Sequence, residues 1–149
     1  MTVDDPLGSL EAGLEPIARI VATVDLERAL VEHGGAAVES ATALEEPLLG
    51  ARVSIVDAGD EGTLAIAEPI TEARLAATLA RHGEGVVGRY AALAAGDSLV
   101  AFQRRAVDLG VAVSRAADGP FGPAVLVLSG PVTGPHLIVV ERRPLPSGP

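Results

Sequence analysis

Cysteine and tryptophan are absent from this 149-residue sequence, and its aromatic residues are limited to two phenylalanines and one tyrosine. The absence of cysteine excludes a disulfide framework and a thiolate metal site. Basic residues are scarce, with 11 against 20 acidic residues and a net charge of -9. Nucleic-acid binding is therefore not expected, since neutralising phosphates requires clustered lysine and arginine. The same deficit argues against a basic helix on a membrane surface.

Long hydrophobic runs are also missing, because no apolar stretch reaches the length that spans a membrane. The acidic start, with Asp4 and Asp5, is unlike a secretory signal peptide. We therefore expect a cytoplasmic protein. Small apolar residues are plentiful: 48% of the sequence is hydrophobic, mostly alanine, valine and leucine. Such a chain can build a sizeable core from many small side chains, as one domain or as two small fused modules.

Strand-like and helix-like segments follow each other twice in the same order. β-Branched runs bounded by glycine and proline predict strands, whereas apolar residues at helical spacing, followed by glycine, predict helices. The first half is predicted to contain a strand at 17–23, a helix at 26–33, a weak strand at 36–40 and strands at 52–56 and 63–67. A linking helix at 71–81 precedes a strand at 85–93, a helix at 99–109 and strands at 111–114, 124–128 and 136–141. The first dozen residues and the proline-rich tail are predicted to be loose ends.

The repeated order predicts two βαβββ modules, and a local match between 19–22 and 89–92 agrees with an internal repeat. The predicted fold class is α+β, with the two modules forming a cup-shaped sheet of eight strands and the helices outside it. The predicted boundaries are an N-terminal extension at 1–14, the first module at 15–70, the linking helix at 71–84, the second module at 85–143 and a tail at 144–149.

The middle of the chain resembles the vicinal-oxygen-chelate superfamily, and most of all its methylmalonyl-CoA epimerase and glyoxalase branch. The resemblance rests on a strand that ends at Asp57, a strand that ends in Glu68-Pro69 and a helix followed by Gly83-Glu84-Gly85. The superfamily also includes extradiol dioxygenases and bleomycin- and mitomycin-binding proteins. It implies the two-module cup, and it extends over about 17–143, nearly the whole chain.

Metal-dependent members of this superfamily hold a divalent ion with ligands on equivalent strands of the two modules. The resemblance places these ligands at Ala18, at Ala65 or its neighbour, at Gly88, and at Val139 or, with a register slip, Glu141. The first four residues have no donor atom, and Glu141 alone cannot build a site that needs several converging ligands. The resemblance therefore implies the scaffold without its metal, and we expect neither a metal nor another cofactor.

The strand register decides which side chains line the cup, since a shift of one residue exchanges the two faces of a strand. In the preferred register the lining is small and mostly apolar, with one phenol: Ala18, Ile20, Ala22, Ala65, Ala67, Gly88, Tyr90, Leu137 and Val139. Such a lining suits a flat or hydrophobic small molecule. The alternative is that neighbouring side chains fill the space and no ligand enters.

Four polar residues form the candidate catalytic set. Tyr90 could donate a hydrogen bond to a ligand carbonyl or act as an acid at an enolate; otherwise its ring packs and its hydroxyl meets water. Arg19 and Arg89 lie at equivalent points of the two modules. Facing inward they could clamp a carboxylate; facing outward, the favoured orientation, they would pair with acidic side chains. Glu141 completes the set.

Other polar residues are weaker candidates. His136 could reach the rim of the cup, whereas His82 and His33 are expected to lie only at helix ends. Glu45 or Glu46 could serve as a base, as a glutamate of this loop region does in the epimerases, or could lie in a solvated loop.

Two functions from different classes remain open. The favoured one is a metal-independent enzyme of isomerase or cyclase type, acting on a polyketide-like molecule in secondary metabolism such as antibiotic biosynthesis. The other is a self-resistance protein that sequesters an antibiotic, which the scarcity of aromatic residues for stacking disfavours. The missing ligands disfavour a metal-dependent epimerase or glyoxalase. A small molecule is the expected partner in each case, and a homodimer is expected because a small, alanine-rich domain gains core by pairing.

Overall fold

A computed structural model describes residues 6–34, 43–128 and 135–141. Its elements in chain order are α1 (Pro6–Glu11), β1 (Glu15–Ala22), α2 (Leu26–Gly34), β2 (Leu44–Glu46), β3 (Ala51–Asp57), a 3₁₀ turn (Gly59–Glu61), β4 (Thr63–Pro69), α3 (Arg74–His82), β5 (Gly85–Ala92), α4 (Leu99–Leu109), β6 (Ala117–Gly119), β7 (Gly122–Leu126) and β8 (His136–Val140). No helix within these described ranges is long and apolar enough to cross a membrane.

The strands form one mixed sheet that consists of two βαβββ modules joined edge to edge. The strand order is β2-β3-β4-β1-β5-β8-β7-β6, so each module contributes four neighbouring strands. The first and last strands of each module pair in parallel, and β1 pairs with β5 in antiparallel fashion at the join. The predicted α+β fold of two such modules is confirmed.

The pairing of β1 with β5 reveals a pseudo-two-fold axis through the join. The register pairs Ala18 with Tyr90, Arg19 with Arg89 and Ile20 with Gly88. A rotation that exchanges the two strands about the central arginine pair leaves this register unchanged. The local sequence match between the two halves therefore reflects structurally equivalent positions.

The same capping device occurs once in each module. The backbone N–H of Leu26, at the start of α2, donates to Glu68 Oε2 at 2.7 Å. The backbone N–H of Leu99, at the start of α4, donates to Glu141 Oε1 at 2.9 Å. Each glutamate lies at the end of its module's last strand and satisfies one of the free N–H groups at the positive end of the helix. Glu141 therefore has a structural partner outside the cup.

The two faces of the sheet bury separate cores. On the outer face, α2 packs over Leu64 and Ile66 of the first module, and α4 packs over the second module through Phe102 and Ala106. The inner face holds a third cluster of mostly small side chains drawn from both modules. The edge strands β2 and β6 approach each other, so the sheet closes almost completely into a cup.

The N-terminal segment differs from its sequence prediction, since α1 forms where a loose end is predicted. The helix is held because Leu10 is buried in the cluster under α4 and Glu11 forms an ion pair with Arg89 at 3.0 Å. Both contacts are distant in sequence, and a local pattern does not reveal them.

The second module also departs from prediction after α4. The predicted strand at 111–114 is reduced to one isolated bridge between Val113 and Val127, and the edge strand forms at β6 instead. The weak strand candidate at 36–40 lies outside the described residues, and the edge strand of the first module is β2.

Candidate functional site

The inner face of the sheet forms the cup interior and holds most of the side chains that the sequence places there. On β1 and β4 the buried inward residues are Ala18, Ile20, Ala22, Ala65 and Ala67. Tyr90 of β5 also belongs to the inner cluster, and Gly88 lies two positions before it on the same strand.

Leu137 and Val139 lie on the outer face, against α4, so the predicted lining is wrong at these two positions. β8 pairs with β5 such that Ile138 lies beside Tyr90, and Ile138 and Val140 join the inner cluster. Because a strand alternates its faces, this one-residue difference moves both predicted residues to the other side of the sheet.

The two arginines of the candidate catalytic set lie outside the cup. Arg89 Nη2 forms an ion pair with Glu11 Oε1 at 3.0 Å. Arg19, opposite it in the register, lines a cavity on the outer face. With Glu141 held at the start of α4, Tyr90 is the member of the predicted set that faces the interior.

A buried carboxylate, Glu46 at the end of β2, meets Tyr90 inside the cup. The Glu46 side chain is fully buried, and its Oε1 accepts a hydrogen bond from the Tyr90 hydroxyl at 2.6 Å. Its Oε2 accepts a second hydrogen bond from the backbone N–H of Leu48 at 3.1 Å. Phe121 packs on the Tyr90 ring with 4.8 Å between centroids. The pair thus bridges the cup from β5 to its seam between β2 and β6.

Burial raises the pKa of both members of this pair. It raises the pKa of Glu46, although the hydrogen bonds from Tyr90 and Leu48 partly oppose that rise. Burial, together with the neighbouring Glu46 carboxylate, raises the pKa of Tyr90 far above its ordinary value of 10.0, so the phenol keeps its proton. Glu46 is therefore a stronger base than an exposed carboxylate, and Tyr90 is suited to donate a hydrogen bond.

A second buried polar pair joins β8 to α3. His136 Nε2 lies 2.7 Å from Thr78 Oγ1, and both residues are buried. The Thr78 hydroxyl donates its single proton to the carbonyl oxygen of Arg74 at 2.9 Å, so the imidazole donates to Thr78 through Nε2. Leu75, on the same helix, enters the inner cluster. Helix α3 therefore lies across the cup interior, and the His136–Thr78 contact holds it there.

We expect the buried imidazole of His136 to make the fold sensitive to acid. Burial, and to a lesser degree the charge of Arg74, lowers the pKa of His136 below 6.5. The unfolded chain then takes up this proton at a higher pH than the folded chain. The free energy of unfolding should fall as the pH drops below about 6.5, until the folded-state imidazole is protonated as well. Urea unfolding over a pH series should show a smaller fall for His136→Gln than for the wild type.

The exposed His82 provides the control for this acid dependence. His82→Gln should keep the wild-type pH profile. If His136→Gln also kept it, the contribution assigned to the buried imidazole would be refuted.

Side chains of the protein itself occupy the cup interior. Leu49, Val53 and Leu75 are fully buried there, with Leu48 and Phe121 packed against them and partly exposed. This is the arrangement in which neighbouring side chains fill the space between small wall residues. A ligand that reaches Glu46 has to displace the partly exposed side chains that adjoin the pair, Leu48 and Phe121.

The residues at the positions where the resemblance implies metal ligands do not fit a metal ion. Ala18, Ala65 and Gly88 lie on neighbouring strands of the cup, whereas Val139 lies on the outer face of β8. None of the four has a donor atom, and a Cβ at Gly88 would lie 2.2 Å from the carbonyl oxygen of His136. Within the described part of the chain, no three histidine, cysteine, aspartate or glutamate side chains are grouped so as to hold a metal ion.

Sequence reasoning does not distinguish Glu46 from its neighbour. The structure does, because Glu45 is exposed and Glu46 is buried in the cup. The available signal was alternation along β2, but this strand has only three residues. The contact partner, Tyr90, is 44 positions away.

Comparison with solved structures identifies the fold. No protein-family model and no curated protein matches the chain. A hypothetical protein from Bacillus halodurans superposes with a TM-score of 0.67 at 15% identity, covering 91% of this chain and 99% of the other. Methylmalonyl-CoA epimerase from Mycobacterium tuberculosis gives 0.65 at 21% identity, covering 97% and 94%.

A variant of methylmalonyl-CoA epimerase from Streptomyces coelicolor, in complex with 2-nitronate-propionyl-CoA, gives a TM-score of 0.64 at 23% identity, covering 88% of this chain and 99% of the other. Likeness at these identities establishes architecture and leaves activity open. The strand order, the two modules and these neighbours agree, and the chain therefore has the fold of the vicinal-oxygen-chelate superfamily.

Proposed function

We propose that this protein is a metal-independent isomerase that binds a small, largely apolar carbonyl compound in its cup and moves a proton on it. The observation that carries the proposal is the buried hydrogen bond between Tyr90 and Glu46 in a mostly apolar interior. Burying a carboxylate costs free energy, and burial of this kind is characteristic of groups whose pKa is adjusted for proton transfer.

Each of the two groups has a role that follows from its proton affinity. Glu46 takes a proton from the carbon next to the substrate carbonyl. The Tyr90 hydroxyl turns from Glu46 to the carbonyl oxygen and stabilises the negative charge that develops there as the C–H bond breaks. Glu46 then returns the proton to a different carbon or to the other face of the same carbon. The reaction is balanced without an oxidant, a reductant or a co-reactant.

The walls of the cup favour a flat or aliphatic substrate. The inward residues of β1 and β4 are mostly alanines, and Arg19 of β1 and Arg89 of β5 point away from the interior. A polyketide-like molecule has the required combination of apolar surface and activated carbonyl groups. Entry requires Leu48 and Phe121 to move. A cytoplasmic homodimer is part of the same proposal.

The structural neighbours support an acyl compound as the ligand class. One epimerase structure contains 2-nitronate-propionyl-CoA, and another contains methylmalonyl-CoA. We carry over to this chain only that an acyl compound fits a cup of this fold. The chemistry is proposed without a metal because Ala18, Ala65, Gly88 and Val139 supply no ligand.

The proposal predicts exchange of carbon-bound hydrogen with solvent. In D₂O, a catalytic amount of protein should introduce deuterium into one class within a panel of acyl thioesters and cyclic 1,3-diketones, as read by mass spectrometry. Glu46→Gln should slow this exchange by a factor of about 10² or more, because the base is lost. Glu45→Gln changes the adjacent exposed carboxylate and should leave the rate unchanged, as should EDTA.

Three results would contradict the assignment. Exchange that stops with EDTA would indicate a metal-dependent reaction. An equal loss of rate in Glu45→Gln and Glu46→Gln would remove the assigned base. Tight one-for-one binding of a panel compound without any exchange would make the protein a sequestering one, which is the alternative function class.

A further inference from the structure

A cavity on the outer face of the first module lies apart from the proposed site. It has a volume of about 250 Å³, is open on one side, and is lined by residues of α2, β1, β4 and the start of β5. Val21, Ala29 and Leu64 form its apolar part, and Arg19 and Glu84 lie among its polar lining residues. At this cavity, helix α2 faces the sheet with the short side chain of Ala29.

The internal repeat shows what occupies the same place in the second module. A shift of 73 positions carries Leu26 onto Leu99 and Glu68 onto Glu141, the two capping pairs. The same shift carries Ala29 onto Phe102. The first module therefore has a methyl group at the position where the second module has a benzyl group.

The counterpart region of the second module is filled by the protein. Phe102 is fully buried under α4, and Leu10 of α1 lies in the same cluster. Glu11, next to Leu10, forms its ion pair with Arg89, the residue that the pseudo-two-fold axis relates to Arg19. In the second module this region therefore accepts an apolar side chain next to a carboxylate, and the carboxylate pairs with an arginine.

The acidic groups around the cavity of the first module are bound by other side chains. Arg28 forms ion pairs with both Glu32 and Glu84. Glu84 also accepts hydrogen bonds from the Thr23 hydroxyl at 2.8 Å and from the Val24 backbone N–H at 2.9 Å. Compensated in this way, the two carboxylates repel an approaching anion less than unpaired ones would.

We propose that this cavity binds a small aliphatic carboxylate, with its chain over Ala29 and its carboxylate on Arg19. The chain would take the volume that Phe102 and Leu10 fill in the second module. The carboxylate would repeat the pairing of Glu11 with Arg89, and the arginine provides a charge-assisted hydrogen bond for it.

Octanoate is the probe, with octan-1-ol as the uncharged comparison. Titrated into ¹⁵N-labelled protein, octanoate should cause saturable shifts of the amide signals of Ala22, Ala29 and Val86, and octan-1-ol should bind more weakly. Arg19→Gln should raise the Kd about tenfold or more. Ala29→Phe, which installs the side chain of the second module, should abolish binding.

Arg104→Gln is the control, since it removes an exposed arginine of α4 in the second module and should leave the Kd unchanged. Saturable shifts at Tyr90 and Leu126 in place of Ala29 would put octanoate in the cup and overturn the outer site, while the exchange assay tests the cup independently. No saturable shift, or wild-type affinity in Arg19→Gln, would also overturn it. A synthetic peptide of residues 6–14 that binds this cavity, when octanoate does not bind, would also overturn the proposal, because the ligand would then be a protein segment.

Thermal melting establishes that the variants are folded. If Ala29→Phe does not fold, the Kd of the surface variant Arg19→Gln decides between the outcomes.

Discussion

Replacing Phe102 with alanine is expected to lower the free energy of unfolding by about 3–5 kcal/mol. Phe102 is fully buried in α4 and belongs to a cluster with Leu10 of α1 and Val139 of β8. The surrounding strands are fixed by their hydrogen bonds and cannot collapse onto the space that the ring leaves, so the lost burial and the new cavity both destabilise. Urea unfolding followed by circular dichroism provides the measurement, since the chain has no tryptophan.

Phe121→Ala is the matched control for this change. Phe121 is the other phenylalanine of the chain, but it is only partly buried where it packs on Tyr90. Its loss should therefore be clearly smaller. Equal losses at the two positions, or a loss below about 2 kcal/mol for Phe102→Ala, would contradict the packing of α4 described above.

Replacing Gly88 with alanine is expected to cost about 3 kcal/mol or to prevent folding. An ideal Cβ at this position would lie 2.2 Å from the carbonyl oxygen of His136 and 2.9 Å from its carbonyl carbon. Both atoms belong to the backbone of β8, which pairs with β5 in the middle of the sheet. The overlap can be relieved only by separating these two strands. Urea unfolding measures the loss, and amide hydrogen exchange of β8 locates it.

Gly119→Ala provides the comparison, because the nearest atom to its added Cβ would be Glu46 Oε1 at 3.1 Å. The end of a side chain can shift where a backbone carbonyl cannot, so this variant should lose less stability. Wild-type stability of Gly88→Ala would mean that the register of β5 against β8 is wrong. The inward placement of His136, Ile138 and Val140 would then be wrong as well.

Much of the architecture could be predicted from local patterns. The β-branched run that includes Ile20 and Val21, the helix that follows Asp25 and the glycine after Leu109 each appear in the fold where the sequence places them. Repetition of the same element order predicted the two modules. Helix α1 could not be predicted in this way, since it depends on the contact of Glu11 with Arg89, far along the chain.

The cup lining could be predicted on one side and not on the other. On β1 the charged Arg19 alternates with apolar Ala18 and Ile20, so the two faces differ in polarity and the register is readable. On β8 every residue from His136 to Val140 is buried. A strand covered on both faces shows no alternation, and Leu137 and Val139 were therefore assigned to the wrong face.

The sequence by itself determined the repeated βαβββ order of the two modules and the absence of donor atoms at Ala18, Ala65 and Gly88. These are properties of residue identity and local periodicity, which are present in the unfolded chain as well. Tertiary structure alone decided that Glu46 contacts Tyr90 and that Glu141 caps α4. It also decided that a cavity lies beside Ala29 in the first module, whereas Phe102 is fully buried at the related position of the second. Each of these depends on groups distant in the chain that are brought together only when the two modules close the sheet.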